Sequence, residues 1–206
     1  MRARIPHLVL AAAVAAALSP PSAAFAQAGR WMEPPSNNGS QARRNDRTHN
    51  LDFLFGALKV APNEESSKAI SERIWGIWLR SGGDTTNLMI TRVRSAIESK
   101  DFDLAIRLLD GIIEFKPEFA EGWNQRATVY FMKKDYTRAL GDLAQVLKRE
   151  PRHFGALFGV GVIMQEFGDD KRALEVYRRA IELDPHMKRV PDLVKTLTEK
   201  VEGRDI

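Results

Sequence analysis

From Leu51 to Leu197 the apolar residues of this chain recur three, four and seven positions apart, with charged and amide side chains between them. An α-helix turns once in 3.6 residues, so this spacing lays one apolar stripe along each of a succession of helices. Leu51, Leu54, Phe55 and Leu58 form the first stripe; Ala69, Ile70, Ile74, Trp75, Ile77, Trp78 and Leu79 form the second, ending before Gly82-Gly83. Leu193, Val194 and Leu197 form the last, with lysines and acids on the opposite side. Each stripe needs a neighbouring helix to cover it, and the predicted fold class is all-α.

Between these flanks the pattern repeats. A shift of 34 brings Pro117, Pro151 and Pro185 into one column and Ala105, Ala139 and Ala173 into another. Proline is about 5% of average sequence, so two further chance matches have odds on the order of one in several hundred. Units beginning at Thr86, Ala120 and Phe154 place Met89, Val93 and Ala96, then Trp123, Ala127 and Tyr130, then Leu157, Gly161 and Met164 on successive first helices. In the second helices the alanine column allows close approach. Leu109 with Ile112, Leu143 with Val146, and Tyr177 with Ala180 fill the seam to the next unit. Lys100-Asp101, Lys134-Asp135 and Gly168-Asp169 make short turns in which aspartate caps the second helix, and the prolines end each unit.

A 34-residue period with these columns resembles the tetratricopeptide repeat (TPR) family over Thr86 to about Met187. The resemblance implies a helix-turn-helix solenoid with a concave groove: three full repeats over 86–119, 120–153 and 154–187, a degenerate N-terminal helix pair over 51–85, and a C-terminal cap helix over 188–206. Extending the register puts Trp75 and Trp78 in the seam columns, as core closing the N-terminal end. Arg92 and Arg126 stand where the family has leucine; their stems can lie over apolar surface with the guanidinium in solvent. The segments Ala120–Phe131 and Glu150–Gly161 also resemble exported proteobacterial TPR proteins of undefined role.

Carried over from the family, the groove positions are Asn87, Ile90, Arg94, Ile97 and Glu98, then Glu121, Asn124, Thr128, Phe131 and Met132, then Gly155, Phe158, Val162, Gln165 and Glu166. The resemblance implies a protein or peptide partner there. Ile90, Arg94, Asn124, Thr128, Phe131, Met132, Phe158, Val162 and Gln165 are the candidate contacts. Phe131, Met132 and Phe158 put apolar surface on a face that amphipathic design keeps polar, so either a peptide anchor or the chain's own leader or cap helix occupies it. Chaperone-binding relatives grip a terminal carboxylate with lysine and asparagine; this groove has Arg94 and Asn124 but no lysine.

Composition narrows the remaining options. The absence of cysteine excludes disulfides, thiolate metal sites and a cysteine nucleophile. Lysine and arginine are dispersed among acids at a formal charge of +4, unlike a nucleic-acid footprint. His49, His153 and His186 make no ligand motif, and His153 and His186 read as exposed loop residues; no phosphate loop, HExxH or GxSxG occurs. The expectation is a protein without catalytic residues, cofactor or metal. At the N-terminus, Arg2 and Arg4 precede an apolar run from Leu8 to Leu18 and Ala24-Phe25-Ala26, the layout of a signal peptide cleaved before Gln27. A flexible leader over 27–50 would follow. This predicts export, to the periplasm or beyond, with no integral membrane span after cleavage. The leading expectation is an interaction scaffold or adaptor of the cell envelope; the other is a structural subunit of an envelope assembly using its convex face or edges.

Overall fold

A computed structural model describes residues 50–203; the signal-peptide expectation over 1–26 and the leader expectation over 27–49 lie outside the described residues, as do 204–206, whereas Asn50, the last residue expected in the leader, begins the first helix. Among the described residues there are nine helices and no strand. They are α1 (50–59), α2 (Glu64–Arg80), α3 (Asp84–Glu98), α4 (Phe102–Phe115), α5 (Ala120–Met132), α6 (Tyr136–Arg149), α7 (Phe154–Glu166), α8 (Asp170–Leu183) and α9 (Val190–Val201). No described helix is long and apolar enough to cross a membrane.

The three repeats are joined internally by one recurring turn. At the end of α3, α5 and α7 the Asp101, Asp135 and Asp169 N–H groups reach back to the Ala96, Tyr130 and Met164 carbonyls, while the Lys100, Lys134 and Gly168 N–H groups reach Ile97, Phe131 and Gln165. This crossed pair of bonds satisfies carbonyls that the helix end would leave free. It requires a left-handed residue, supplied by Lys100 (φ 61°), Lys134 (φ 59°) and Gly168 (φ 72°). The same aspartates cap the next helix, accepting from the Leu104, Arg138 and Arg172 N–H groups.

Ala105, Ala139 and Ala173 are fully buried, as are Leu109, Ile112, Val146, Tyr177 and Ala180 in the seams. Gly161 shows how tight the packing is: a Cβ there would sit 2.3 Å from the Tyr177 ring. Arg126 does not send its guanidinium into solvent. It meets Asp142 through two nitrogens at 2.8 Å and Asp110 at 2.6 Å, lies over Trp123 and Tyr130, and so stitches α4, α5 and α6 together. The Asp142 hydrogen bond, with that from Asp110, holds the guanidinium still further above its ordinary range. Arg92 remains exposed. The helix α9 covers the open end of α8, burying Val190 and Leu197 against the cluster of Leu174, Tyr177 and Ala180.

The α1–α2 pair forms, but it does not simply stack beneath the first repeat. It runs across the turns that join successive units. Ser67 Oγ donates to Asp184 Oδ1 at 2.6 Å, His186 Nε2 lies 3.0 Å from the Ala61 carbonyl, and Arg152 pairs with Asp52 at 2.6 Å. At the other end of α2, Lys116 Nζ donates to the Ser81 and Gly82 carbonyls. Trp75 and Trp78 are core, yet their partners include His153 and Phe154, at the junction of the second and third repeats, rather than a seam closing the N-terminal end.

Candidate functional site

Of the nine candidate contacts, five converge. Asn124, Thr128 and Phe131 from α5 face Phe158 and Val162 from α7 across a cavity of about 200 Å³, with Ala127, Leu143 and Ile163 at its base and Gly155 and Gly159 along its α7 wall. A cleft for a drug-sized ligand is about 300–1,000 Å³, whereas an aromatic ring fits in about 150 Å³, so this volume suits a single large side chain. The lining is mostly apolar. Its shape depends on small residues: a Cβ on Gly155 would come within 2.8 Å of Trp75, and one on Gly159 within 3.3 Å of Leu143. Trp75 thereby places the α1–α2 hairpin at one end of the cavity.

The other four candidates do not join them. Ile90 is buried in the core of the first repeat with Val93 and Leu109, because its α3 position faces α4. Arg94 is exposed on α3. Gln165 accepts from the Tyr177 hydroxyl at 2.8 Å, and burial pushes that phenol up to about 12. Met132, 47% exposed, lies at the C-terminal end of α5. There the apolar surface continues in residues that the repeat register did not single out. Phe131 contacts Tyr136 at 5.6 Å between ring centroids, and Tyr136 contacts Phe167, itself 57% exposed, at 5.7 Å. Burial and the neighbouring Glu166 carboxylate raise the Tyr136 phenol above its ordinary range. The signal for this ridge was the exposed turn position of Phe167, next to Gly168.

The histidine expectation is overturned. His153 is fully buried, stacks on Trp78, caps α7 by accepting the Ala156 N–H, and meets the buried Glu121 carboxylate at 2.8 Å. His186 is half-buried against Ala61 rather than exposed. Sequence held a clue: the column of His153 contains Phe119 and Met187, so it is an apolar, packed column. Among the described residues no group of three or more His, Cys, Asp or Glu side chains could hold a metal.

Comparison with known proteins matches this architecture. The tetratricopeptide repeat family model matches residues 90–146 and 135–188. A TPR repeat-containing protein of Rhizobium etli is 37% identical over 153 residues, spanning 74% of this chain and 75% of that protein. The Yersinia enterocolitica type III secretion chaperone SycD, solved with a peptide of the translocator YopD, superposes with a TM-score of 0.54 at 12% identity, over 57% of this chain and 95% of that one. The first TPR of Spaghetti, bound to an HSP90 peptide, gives 0.53 at 16% identity over 57% and 93%. Likenesses this distant in sequence speak for the fold alone. With its 34-residue columns, its recurring capped turn and a homologue sharing three-quarters of its length, the chain belongs to the tetratricopeptide repeat family.

Proposed function

We propose that this protein is a non-catalytic scaffold or adaptor that holds a peptide or helix of a partner protein in its concave groove. The observation that carries the reading is the apolar cavity between α5 and α7, open beside Asn124 and continued by the Phe131–Tyr136–Phe167 ridge. Covering apolar surface of this kind lowers the free energy by about 25 cal/mol per Å² removed from water. Support comes from the structural neighbours: SycD was solved with a translocator peptide and Spaghetti with an HSP90 peptide. The work is done in the cell envelope, a location supported by the basic-apolar-cleavage pattern of residues 1–26.

The test is site-specific photo-crosslinking in cells, with the probe at Val162 in the cavity or at Glu175 on the outer surface of α8. A discrete partner adduct from Val162 alone, recovered in the envelope fraction, is the expected outcome. Adducts from Glu175 alone would replace this reading with a structural subunit that uses its convex face.

A further inference from the structure

Asn124 enters the cavity with half of its amide committed. Its Nδ2 donates to Glu121 Oε2 at 3.1 Å, and the other oxygen of Glu121, 1% exposed, lies 2.8 Å from His153 Nε2. Geometry sets the histidine tautomer. Nδ1 accepts the Ala156 N–H at 3.0 Å, so the ring proton sits on Nε2 and points at the carboxylate. Glu121 also lies in the first turn of α5, where free N–H groups favour a negative side chain. A carboxylate accepts, so it fixes the nitrogen of Asn124 toward itself, occupies one of its two N–H groups, and leaves Oδ1 and the second N–H for a ligand. Thr128 follows the same pattern: its hydroxyl donates to the Asn124 carbonyl at 3.0 Å, leaving lone pairs. Among the described residues no lysine or arginine lines the cavity.

We infer that this end of the groove is an acceptor site, set by a buried chain from Trp78 through His153 and Glu121 to Asn124, and that its ligand is an internal peptide segment. An apolar side chain enters the cavity and a flanking backbone N–H donates to Asn124 Oδ1. This rests on the groove reading above. A terminal carboxylate is disfavoured: it has no hydrogen to donate to Asn124 Oδ1, and it would bring a second negative charge toward Glu121 with no lysine or arginine among the described lining residues to offset it. Glu121 and His153 act through Asn124 and are positioning residues.

The experiment starts from short random peptides selected by display on the full chain. The tightest is synthesised with a C-terminal amide, with each backbone nitrogen methylated in turn, and truncated so that the anchor residue carries a free carboxylate. Wild type is expected to lose about tenfold in affinity for one N-methyl position next to the anchor and for the carboxylate form, the scale of one hydrogen bond. In Glu121→Gln and Asn124→Ala the N-methyl penalty shrinks below about threefold. Asn124 is half-buried, so Asn124→Ala carries the test should Glu121→Gln fail to fold. Indifference of wild type to every N-methyl group, an unchanged penalty in Asn124→Ala, or equal binding of the carboxylate form would each overturn the inference. Failure of the groove reading looks different: all peptides would bind Phe131→Ala/Phe158→Ala as they bind wild type.

Discussion

Trp78 lies flat on His153, with ring centroids 4.2 Å apart and planes 11° from parallel. The two residues are 75 positions apart in sequence, one in the N-terminal hairpin and the other at the entry to the third repeat. The stack makes the hairpin part of the same folding unit as the repeats. Trp78→Ala should therefore destabilise the whole domain, by roughly 3–5 kcal/mol for a buried aromatic lost to alanine. Trp78 Nε1 is buried without a partner among the described residues, so Trp78→Phe sheds an unsatisfied donor and should cost much less. Thermal melts of the two variants check this; equal losses would contradict it.

Arg126 is a second point where one side chain holds several helices. Truncating it to alanine leaves Asp142, 5% exposed, without its charge partner, and breaking a buried pair this way costs roughly 3–5 kcal/mol. Replacing both Arg126 and Asp142 with leucine removes the stranded charge and should recover most of the loss. Urea denaturation of the two single variants and the double variant reads the coupling, which should be clearly non-additive.

Tyr177 gives a prediction at high pH. Its phenol is pushed from about 10 to about 12 by burial. Below pH 10 it is neutral in the folded and unfolded chains alike and its full contribution is present. Above pH 10 the unfolded chain ionises first, so stability falls as pH rises toward 12, by on the order of 2–3 kcal/mol across that window. Tyr177→Phe should lack this slope while matching wild type near neutrality to within one hydrogen bond. Denaturant midpoints of both proteins from pH 8 to 12 provide the comparison.

Gly161→Ala sets two effects against each other. Alanine favours a helix interior by about 0.5–1 kcal/mol over glycine. Its Cβ would meet a buried ring at 2.3 Å, and overpacking of this sort costs about 1–3 kcal/mol. The clash should win, lowering the melting temperature; Gly141→Ala, where a Cβ meets nothing within 4 Å among the described residues, should raise it.

What sequence revealed followed from local rules repeated three times. The 34-residue columns located the buried alanines, the aspartate caps and the unit-ending prolines because each depends on residues a few positions away. Packing between distant segments has no such period. Ser67 with Asp184 and Trp78 with His153 arise only when the hairpin crosses the unit-joining turns, so the register alone placed both tryptophans at the wrong neighbours. The groove was legible where helix face decides position, as for Asn124, Phe131 and Phe158. It was not where a neighbour decides: Ile90 is turned into the first-repeat core and Gln165 is taken up by Tyr177.

The central claim is that the α5–α7 cavity is where a partner segment is held. Its most direct test is the affinity of a display-selected peptide, measured by fluorescence anisotropy, for the wild-type chain and for Phe131→Ala/Phe158→Ala, with helical circular dichroism confirming that both are folded. Loss of two apolar anchor contacts should weaken binding by about a hundredfold or more, at roughly tenfold for each 1.4 kcal/mol. Equal affinity in the two proteins would contradict the account.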